Sequence, residues 1–133
     1  LEVLLVEDNP VNQKVCVALL ARLRCTAQVA GTGNEALVLA AASPHDLILM
    51  DCELPDLDGL EVTRRLRARE ADQPGPRVPI LALTAHATET QRRACLDAGM
   101  DGFLTKPVSL DTLLAAIAEL GLAPKTGSDI RPA

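Results

Sequence analysis

Acidic side chains follow two short apolar runs in this chain. The run Val3–Val6 leads directly into Glu7 and Asp8, and the run Leu47–Met50 leads into Asp51. Carboxylates about 4 Å apart repel each other by roughly 4 kcal/mol at an effective dielectric constant of about 20, so a cluster of these acids would hold protons or bind a cation. Mg²⁺ suits such a cluster, because it is usually held by one or two carboxylates together with waters and phosphate oxygens.

Two further apolar runs end in groups that suit a phosphoryl ligand. The run Ile80–Leu83 ends in Thr84, and the run Gly102–Thr105 ends in Lys106. The lysine ammonium is a mobile point charge suited to phosphate, and the threonine hydroxyl is a hydrogen-bond donor. A carboxylate can accept a phosphoryl group covalently, in a transfer that needs mainly positioning and charge neutralisation.

A repeated strand–helix pattern must position these groups. Short apolar runs separated by helical patterns indicate buried parallel strands, here Val3–Val6, Thr26–Val29, Leu47–Asp51, Ile80–Thr84 and Gly102–Lys106. We therefore expect an α/β fold with a doubly wound, five-stranded parallel sheet and about five helices. Ligands bind at the carboxyl ends of the strands in such sheets, so the acids, the hydroxyl and the ammonium should meet at one edge.

Capping signals predict where the helices lie. They begin at Asn9-Pro10, at Thr32 (with Glu35 in capping-box spacing), near Leu60, at Thr88 and at Ser109, and they end near Leu23, Ala42, Glu70, Gly99 and Leu120. The apolar stripe predicted for the first helix is Val11, Val15, Ala18, Leu19 and Leu23, and for the fifth it is Leu110, Leu113, Leu114, Ile117 and Leu120.

The bulk composition limits the class of protein. A length of 133 residues predicts one domain, which we place at residues 1–121, followed by a flexible tail or linker at 122–133. The net charge of −5 argues against nucleic acid and anionic membranes as partners. The four cysteines have no metal-site spacing, which favours a reducing, cytoplasmic setting, and we expect Cys52 to be partly exposed.

The ordered set of these residues resembles the receiver domain of two-component signalling, the phosphoacceptor part of response regulators. The resemblance covers about Glu2 to Gly121, and it rests on Glu7-Asp8, Met50-Asp51 with Pro55 and Gly59, Leu83-Thr84-Ala85 and Lys106-Pro107. The sequence around Asp8 and Asp51 is similar to that of receivers carried by hybrid sensor histidine kinases. The resemblance implies the flavodoxin-like strand order 2-1-3-4-5.

The resemblance also implies roles for the acids and the lysine. Asp51 would accept a phosphoryl group from a phosphohistidine, while Asp8, Asp51 and the backbone carbonyl of Glu53 hold Mg²⁺ or Mn²⁺. Glu7, where the family often has a second aspartate, would assist through water, and Lys106 would pair with the phosphate. In the family the position of Glu53 tunes the lifetime of the phosphoryl group.

A conformational switch and a docking face are implied as well. Thr84 would bond the phosphoryl group and Phe103, the only aromatic residue, would turn inward behind it; the Lys106–Pro107 peptide would be cis. Partner docking is predicted at Val11, Asn12 and Val15, although for Val15 the sequence favours the core.

The implied partner is a histidine kinase or a histidine phosphotransfer domain. Phosphoryl transfer and autodephosphorylation would be catalysed by the domain itself, within a hybrid histidine kinase phosphorelay but without kinase activity of its own. We expect a monomer or weak dimer in the cytoplasm, with no nucleic acid and no direct membrane contact; a membrane-anchored parent protein is compatible with this. The start on Leu1, almost directly on a strand, favours a piece of a larger protein.

Other interpretations use the same residues differently. An aspartate-nucleophile phosphatase would need a second aspartate where Asp51-Cys52-Glu53 has none, and a receiver used only as a scaffold would take up no phosphate. The glycines in Gly31-x-Gly33-x-x-Ala36 imitate a nucleotide-binding loop but follow the second strand. Glu7 and Asp8 could cap the first helix, and the acids at 56 and 58 are expected in a solvated turn.

Overall fold

A five-stranded parallel sheet with helices on both faces forms the domain. The structure, a computed structural model, describes residues 1–73, 75–86 and 88–122, so all but the first residue of the predicted tail at 122–133 lies outside the described residues. The elements are β1 (Glu2–Val6), α1 (Pro10–Arg22), β2 (Thr26–Ala30), α2 (Gly33–Ala42), β3 (Leu47–Asp51), α3 (Gly59–Asp72), β4 (Ile80–Thr84), α4 (Glu89–Ala98), β5 (Gly102–Thr105) and α5 (Leu110–Glu119).

The strand order is β2-β1-β3-β4-β5, which confirms the predicted topology. Every pairing is parallel, and the register sets Val6 beside Met50, Asp51 beside Leu83 and Thr84 beside Thr105. The strands therefore end side by side, and the residues that follow them meet at one edge of the sheet. The observed bounds differ from the predicted ones by one or two residues, as is usual where helix and strand ends fray.

The core consists of two apolar layers, one on each face of the sheet. One layer joins the sheet to α1 and α5, and the other joins it to α2, α3 and α4. All five residues of β3 and all five of β4 are buried, because each strand has neighbours on both sides and helices on both faces. Among the described residues, every helix is too short or too polar to cross a bilayer.

The first helix buries only part of its predicted apolar stripe: Leu23 is buried and Leu19 packs against the core, whereas the other three members are exposed. Val11 and Val15 are 68% and 43% exposed and Ala18 is exposed. The buried positions are Cys16, Leu20 and Leu23. Both sets recur at helical spacing, so periodicity alone offers two candidate faces. In α5, Leu113 and Ile117 are buried as predicted, whereas Leu114 is 42% exposed.

Side chains cap the helices largely where the sequence predicted. Asn9 accepts hydrogen bonds from the Val11 and Asn12 amides, so neither Glu7 nor Asp8 is the N-cap of α1. Thr88 caps α4 in the same way, and Ser109 forms a capping box with Thr112 in α5. At α2 only half of the predicted capping box forms: Thr32 accepts from the Glu35 amide, but the Glu35 carboxylate accepts from the Gly31 amide.

Arg67 links several segments of the chain at the end of the sheet that lies opposite the acids. The Arg67 guanidinium donates to the carbonyls of Gly99 and Val78 and to the Asp101 carboxylate, at 2.8–3.0 Å. Asp101 also accepts from the Ile80 amide and pairs with Arg77. These bonds join α3, the start of β4 and the connection between α4 and β5.

Candidate functional site

Three carboxylates meet at the carboxyl ends of β1 and β3. One oxygen each from Glu7, Asp8 and Asp51 lies within 4.8 Å of the others. Glu7 and Asp51 are almost completely buried, at 1% and 2% exposure, whereas Asp8 is exposed. The acids converge because β1 and β3 are neighbours in the sheet and end at the same level. The convergence predicted from the four apolar runs is therefore present.

Backbone amides and one side chain hold the buried acids in place. The Glu53 amide donates to Asp51 Oδ1 at 2.9 Å, and the Asn9 amide donates to Glu7 Oε2 at 3.2 Å. The Gln13 side chain, which the sequence did not single out, donates to the Glu7 carbonyl at 2.6 Å. The second oxygen of each buried carboxylate is left for other contacts.

The Lys106 side chain contacts the second oxygen of both buried carboxylates. Its Nζ lies 3.1 Å from Glu7 Oε1 and 3.1 Å from Asp51 Oδ2. Its backbone amide donates to the Thr84 carbonyl at 2.7 Å, and the Lys106–Pro107 peptide is cis, as predicted. The lysine is therefore part of the site rather than an ordinary surface residue.

Burial sets the protonation of this cluster. Desolvation, and then the neighbouring Asp51, raise the pKa of Glu7 to about 7. Burial alone would lower the pKa of Lys106, but its contacts with Asp51 and Glu7 raise it above the ordinary value. The ammonium therefore stays charged at neutral pH, while Glu7 gives up its proton only near pH 7.

The donor set fits a small, hard divalent cation. The Lys106 ammonium contacts two of the three clustered carboxylates, and Glu7 Oε1 is buried without a hydrogen-bond partner despite its ion pair with Lys106. A buried carboxylate oxygen without a hydrogen bond is costly, and a cation or its bound water would satisfy it. The residues present therefore fit the Mg²⁺ that the resemblance implies.

The predicted switch residues, Thr84 and Phe103, lie on the same face of the sheet. Thr84 Oγ1 donates to the His86 carbonyl at 2.9 Å and accepts from the His86 amide at 3.0 Å, so it is engaged with the chain that follows β4. Phe103 is opposite Ala82 in the register, two residues before Thr84, and so projects from the same face. Its ring is half-buried against the core layer of α2, α3 and α4.

Comparison with known proteins identifies the family. The family model described as response regulator receiver domain matches residues 3–118. The chain belongs to this family. Hybrid signal transduction histidine kinase A of Dictyostelium discoideum is 39% identical to this receiver domain over 119 residues, which is 89% of this chain and 6% of that kinase. The receiver domain thus spans only a small part of that relative.

Two solved receiver domains are similar in sequence and fold. That of the sensor histidine kinase PA1611 from Pseudomonas aeruginosa PAO1, with magnesium coordinated in its active-site cleft, is 45% identical; the match covers 89% of this chain and 94% of that one, with a TM-score of 0.79. That of Ssk1 from Saccharomyces cerevisiae, crystallised with the histidine phosphotransfer protein Ypd1, is 34% identical, with coverage of 91% and 88% and a TM-score of 0.83.

The predicted docking residues lie on the outer side of α1, next to the acids of this receiver domain. Val11 and Val15 are exposed, and Asn12 is half-buried. Asn12 and Val15 line a cleft of about 60 Å³ that also contains Glu7 and Lys106. The assignment of Val15 to the core is therefore wrong.

The acids of the loop after β3 are exposed, as expected of a solvated turn, and they also cap helices, which the sequence did not predict. Asp56 accepts from the Gly33 and Asn34 amides at the start of α2, at 2.8 and 2.9 Å, and these amide contacts lower its pKa to about 2. Asp58 accepts from the Glu61 amide in α3 at 2.8 Å. Sequence reasoning missed the contact of Asp56 because it joins segments 22 residues apart.

Two glycines are explained by close packing. A Cβ on Gly33 would lie 2.8 Å from a methyl group of Val62, so close packing at the start of α2 accounts for this glycine without a nucleotide. A Cβ on Gly59 would lie 2.2 Å from the Asp51 carbonyl oxygen, so α3 can begin directly behind β3 only with glycine there.

The expectation that Cys52 is partly exposed is wrong. Its side chain lies in the core layer of α2, α3 and α4, and only 7% of the residue is exposed. All four cysteines are free thiols. Cys52 turns away from solvent because β3 is covered on both faces and the chain stays inside the layer for one residue after the strand ends.

Proposed function

We propose that this receiver domain accepts a phosphoryl group on Asp51 from a phosphohistidine. The observation that carries the proposal is the buried Asp51 carboxylate, whose Oδ1 is fixed by the Glu53 amide while Oδ2 faces Lys106. In the transfer, a carboxylate oxygen forms a bond to phosphorus as the nitrogen–phosphorus bond breaks. The histidine nitrogen keeps that electron pair, and the imidazole leaves neutral or protonated by solvent.

We propose that Asp8, Asp51 and the backbone carbonyl of Glu53 hold Mg²⁺, with Glu7 assisting through water. The clustered carboxylates and the Glu7 oxygen without a hydrogen bond support this assignment, as does the magnesium in the receiver domain of PA1611. When bound, the ion would neutralise charge on the transferred phosphoryl oxygens.

Lys106 and Thr84 contribute on the other side of the acceptor. The ammonium already contacts Asp51 and would move its charge to the new phosphoryl oxygens, which carry about −1.5 to −2 at neutral pH. The Thr84 hydroxyl would exchange its bonds to His86 for one to the phosphoryl group, and the half-buried Phe103 would turn inward on the same face. Glu53 would tune the rate of hydrolysis.

The proposed partner is a histidine kinase or a histidine phosphotransfer domain that docks on Val11, Asn12 and Val15. Exposed valines next to the acceptor cleft suit an apolar contact, and the Ssk1 receiver domain was crystallised with such a phosphotransfer protein. We place the domain, at residues 1–121, in a hybrid histidine kinase phosphorelay in the cytoplasm, where free thiols are kept reduced.

The experiment is phosphorylation by acetyl phosphate, followed by intact mass measurement with and without Mg²⁺. We expect one added phosphoryl group that needs Mg²⁺ and is absent in Asp51→Asn. Asp97→Asn, which removes an exposed acid on α4, is the matched control and should match the wild type. The decay of the adduct in wild type and Glu53→Gln measures the role of Glu53.

An adduct that persists in Asp51→Asn would assign the acceptor elsewhere. If the folded wild type takes up no phosphoryl group from acetyl phosphate or from a phosphorylated histidine phosphotransfer protein, the domain is a scaffold and the proposal fails.

A further inference from the structure

Two thiols touch directly behind the acceptor strand. Cys52 follows Asp51, and Cys95 lies in the last turn of α4. Their Sγ atoms are 3.7 Å apart, within hydrogen-bond range for sulfur, although the residues are 43 positions apart in the chain. The Cys25 thiol, by contrast, contacts the carbonyl of Leu23. Folding therefore places this particular pair in contact.

One member of the pair borders an open cleft. Cys52 lines a cleft of about 290 Å³ together with Glu53, Thr84, His86 and Gln91. Cys52 is 7% exposed and Cys95 is 2% exposed, so a small reagent in the cleft reaches Cys52 first. Burial raises the pKa of the Cys52 thiol to about 12, which makes its reaction slow rather than immediate.

We propose that Cys52 and Cys95 are a modification site, a dithiol that a hydroperoxide converts reversibly into a disulfide. The Cys52 sulfur attacks one peroxide oxygen, the O–O bond breaks, and the leaving oxygen takes the Cys52 proton and departs as water from hydrogen peroxide or as an alcohol from an organic hydroperoxide, which leaves Cys52 as a sulfenic acid. The Cys95 sulfur then attacks the Cys52 sulfur, the S–O bond breaks, and hydroxide leaves as water with the Cys95 proton. The two thiols lose two electrons, which reduce the peroxide, and a dithiol reductant reverses the change.

The disulfide would displace α4 rather than the acceptor loop. A disulfide bond is about 2.05 Å long, so the sulfurs must approach each other by roughly 1.7 Å. The Cys52 amide donates to the Leu83 carbonyl at 3.1 Å, and its carbonyl accepts from the Gly59 amide at 3.2 Å. Because this backbone is held on both sides, we expect any main-chain movement that closure of the bond requires to fall on the helix that carries Cys95.

An effect on phosphoryl uptake follows, and this part rests on the proposed function. The cleft between β3 and α4 contains Thr84, which must rearrange when Asp51 is phosphorylated. A bond that pulls α4 toward β3 narrows the cleft and opposes that rearrangement. Oxidation would therefore lower the rate of phosphoryl uptake on the order of fivefold, which corresponds to a barrier raised by about 1 kcal/mol.

The test is oxidation of the folded protein by hydrogen peroxide over several hours, followed by alkylation, digestion and mass spectrometry. We expect a Cys52–Cys95 linked peptide as the main product, with the loss of two hydrogen atoms from the intact mass, and recovery with dithiothreitol. Cys25→Ser, a buried cysteine outside the pair, should still form the link, and Cys95→Ser should not.

The acetyl phosphate assay is then repeated on reduced and oxidised protein. Slower uptake is expected in oxidised wild type but not in peroxide-treated Cys95→Ser. Absence of the linked peptide, or its formation only in urea, would overturn the modification site. Equal uptake before and after linking would overturn the regulatory effect. No uptake by reduced wild type would count against the proposed function alone, because the mapped disulfide is measured independently of it.

Discussion

At the residue scale, Glu7 is a carboxylate whose burial costs the fold free energy. Its carboxylate is 1% exposed, faces another acid and leaves one oxygen without a hydrogen bond. An ionised carboxylate in such a place destabilises the fold unless a cation accompanies it. Lys106 supplies one positive charge for Glu7 and Asp51 together, so the site is under-neutralised in the absence of metal.

The pH dependence of stability should reveal this cost. The pKa of Glu7 is about 7 in the fold against an ordinary value of 4.5, so its protonated form favours the fold. This contribution is complete below pH 4.5 and is lost as the pH rises through 7, a change of about 3 kcal/mol from the difference in pKa. Urea unfolding gives the free energy of unfolding of metal-free wild type and Glu7→Gln at each pH in this range. The change in the difference between the two proteins with pH measures the contribution of Glu7.

Glu2→Gln is the control, because it removes an exposed acid at the other end of the same strand. Its profile should run parallel to that of the wild type. If Glu7→Gln and wild type also run parallel, Glu7 titrates in the fold as it does in the unfolded chain and the burial argument is wrong.

At the element scale, the start of α3 depends on one missing side chain. A Cβ at Gly59 would lie 2.2 Å from the Asp51 carbonyl oxygen, a distance that forces α3 and β3 apart. We expect Gly59→Ala to lower the free energy of unfolding by roughly 1–3 kcal/mol and to impair phosphoryl uptake. Urea unfolding and the acetyl phosphate assay measure the two effects.

Gly31→Ala provides the comparison, because the nearest atoms to its added Cβ are 3.9 Å away. It should change stability and uptake little. Normal uptake in a folded Gly59→Ala protein would show that the acceptor loop tolerates a displaced α3.

Asp56 and Asp58 allow a reciprocal test of helix capping. Asp56→Ala should speed hydrogen exchange at the first amides of α2, those of Gly33 and Asn34. Asp58→Ala should instead speed hydrogen exchange at the Glu61 amide in α3. Because the amides lower the pKa of Asp56 to about 2, its cap should persist in mild acid and fail only as the pH falls through that value. Faster exchange at both helices in either variant would contradict separate caps.

The sequence predicted most accurately the strands in which burial allows only apolar residues. A strand covered on both faces must be apolar throughout, so β3 and β4 were predicted with their observed bounds, and the groups after the strands were predicted to meet. The inward side of α1 was not predictable, because its valines and its Cys16–Leu20 pair have the same helical spacing. The contact of Asp56 with α2 and that of Cys52 with Cys95 depend on how distant segments pack, which no local pattern contains.

At the scale of the whole molecule, metal binding should stabilise the fold. A ligand present at about a hundred times its dissociation constant adds about 2.7 kcal/mol to the free energy of unfolding. We expect Mg²⁺ to raise the unfolding midpoint of wild type, Asp8→Asn to lose most of the gain, and Asp97→Asn to keep it. NaCl at matched ionic strength separates binding from charge screening, and an equal gain in Asp8→Asn would remove that residue from the metal site.

The order of the strands has a consequence for how the chain assembles. After β1 and β2 pair, β3 adds to the free side of β1, and β4 and β5 then add one after another at the same growing edge. The sheet can therefore be built in the direction in which a ribosome delivers the chain, without inserting a strand between two that are already paired. A partial sheet that ends at β3 would leave the apolar edge of that strand open to other chains until β4 pairs with it.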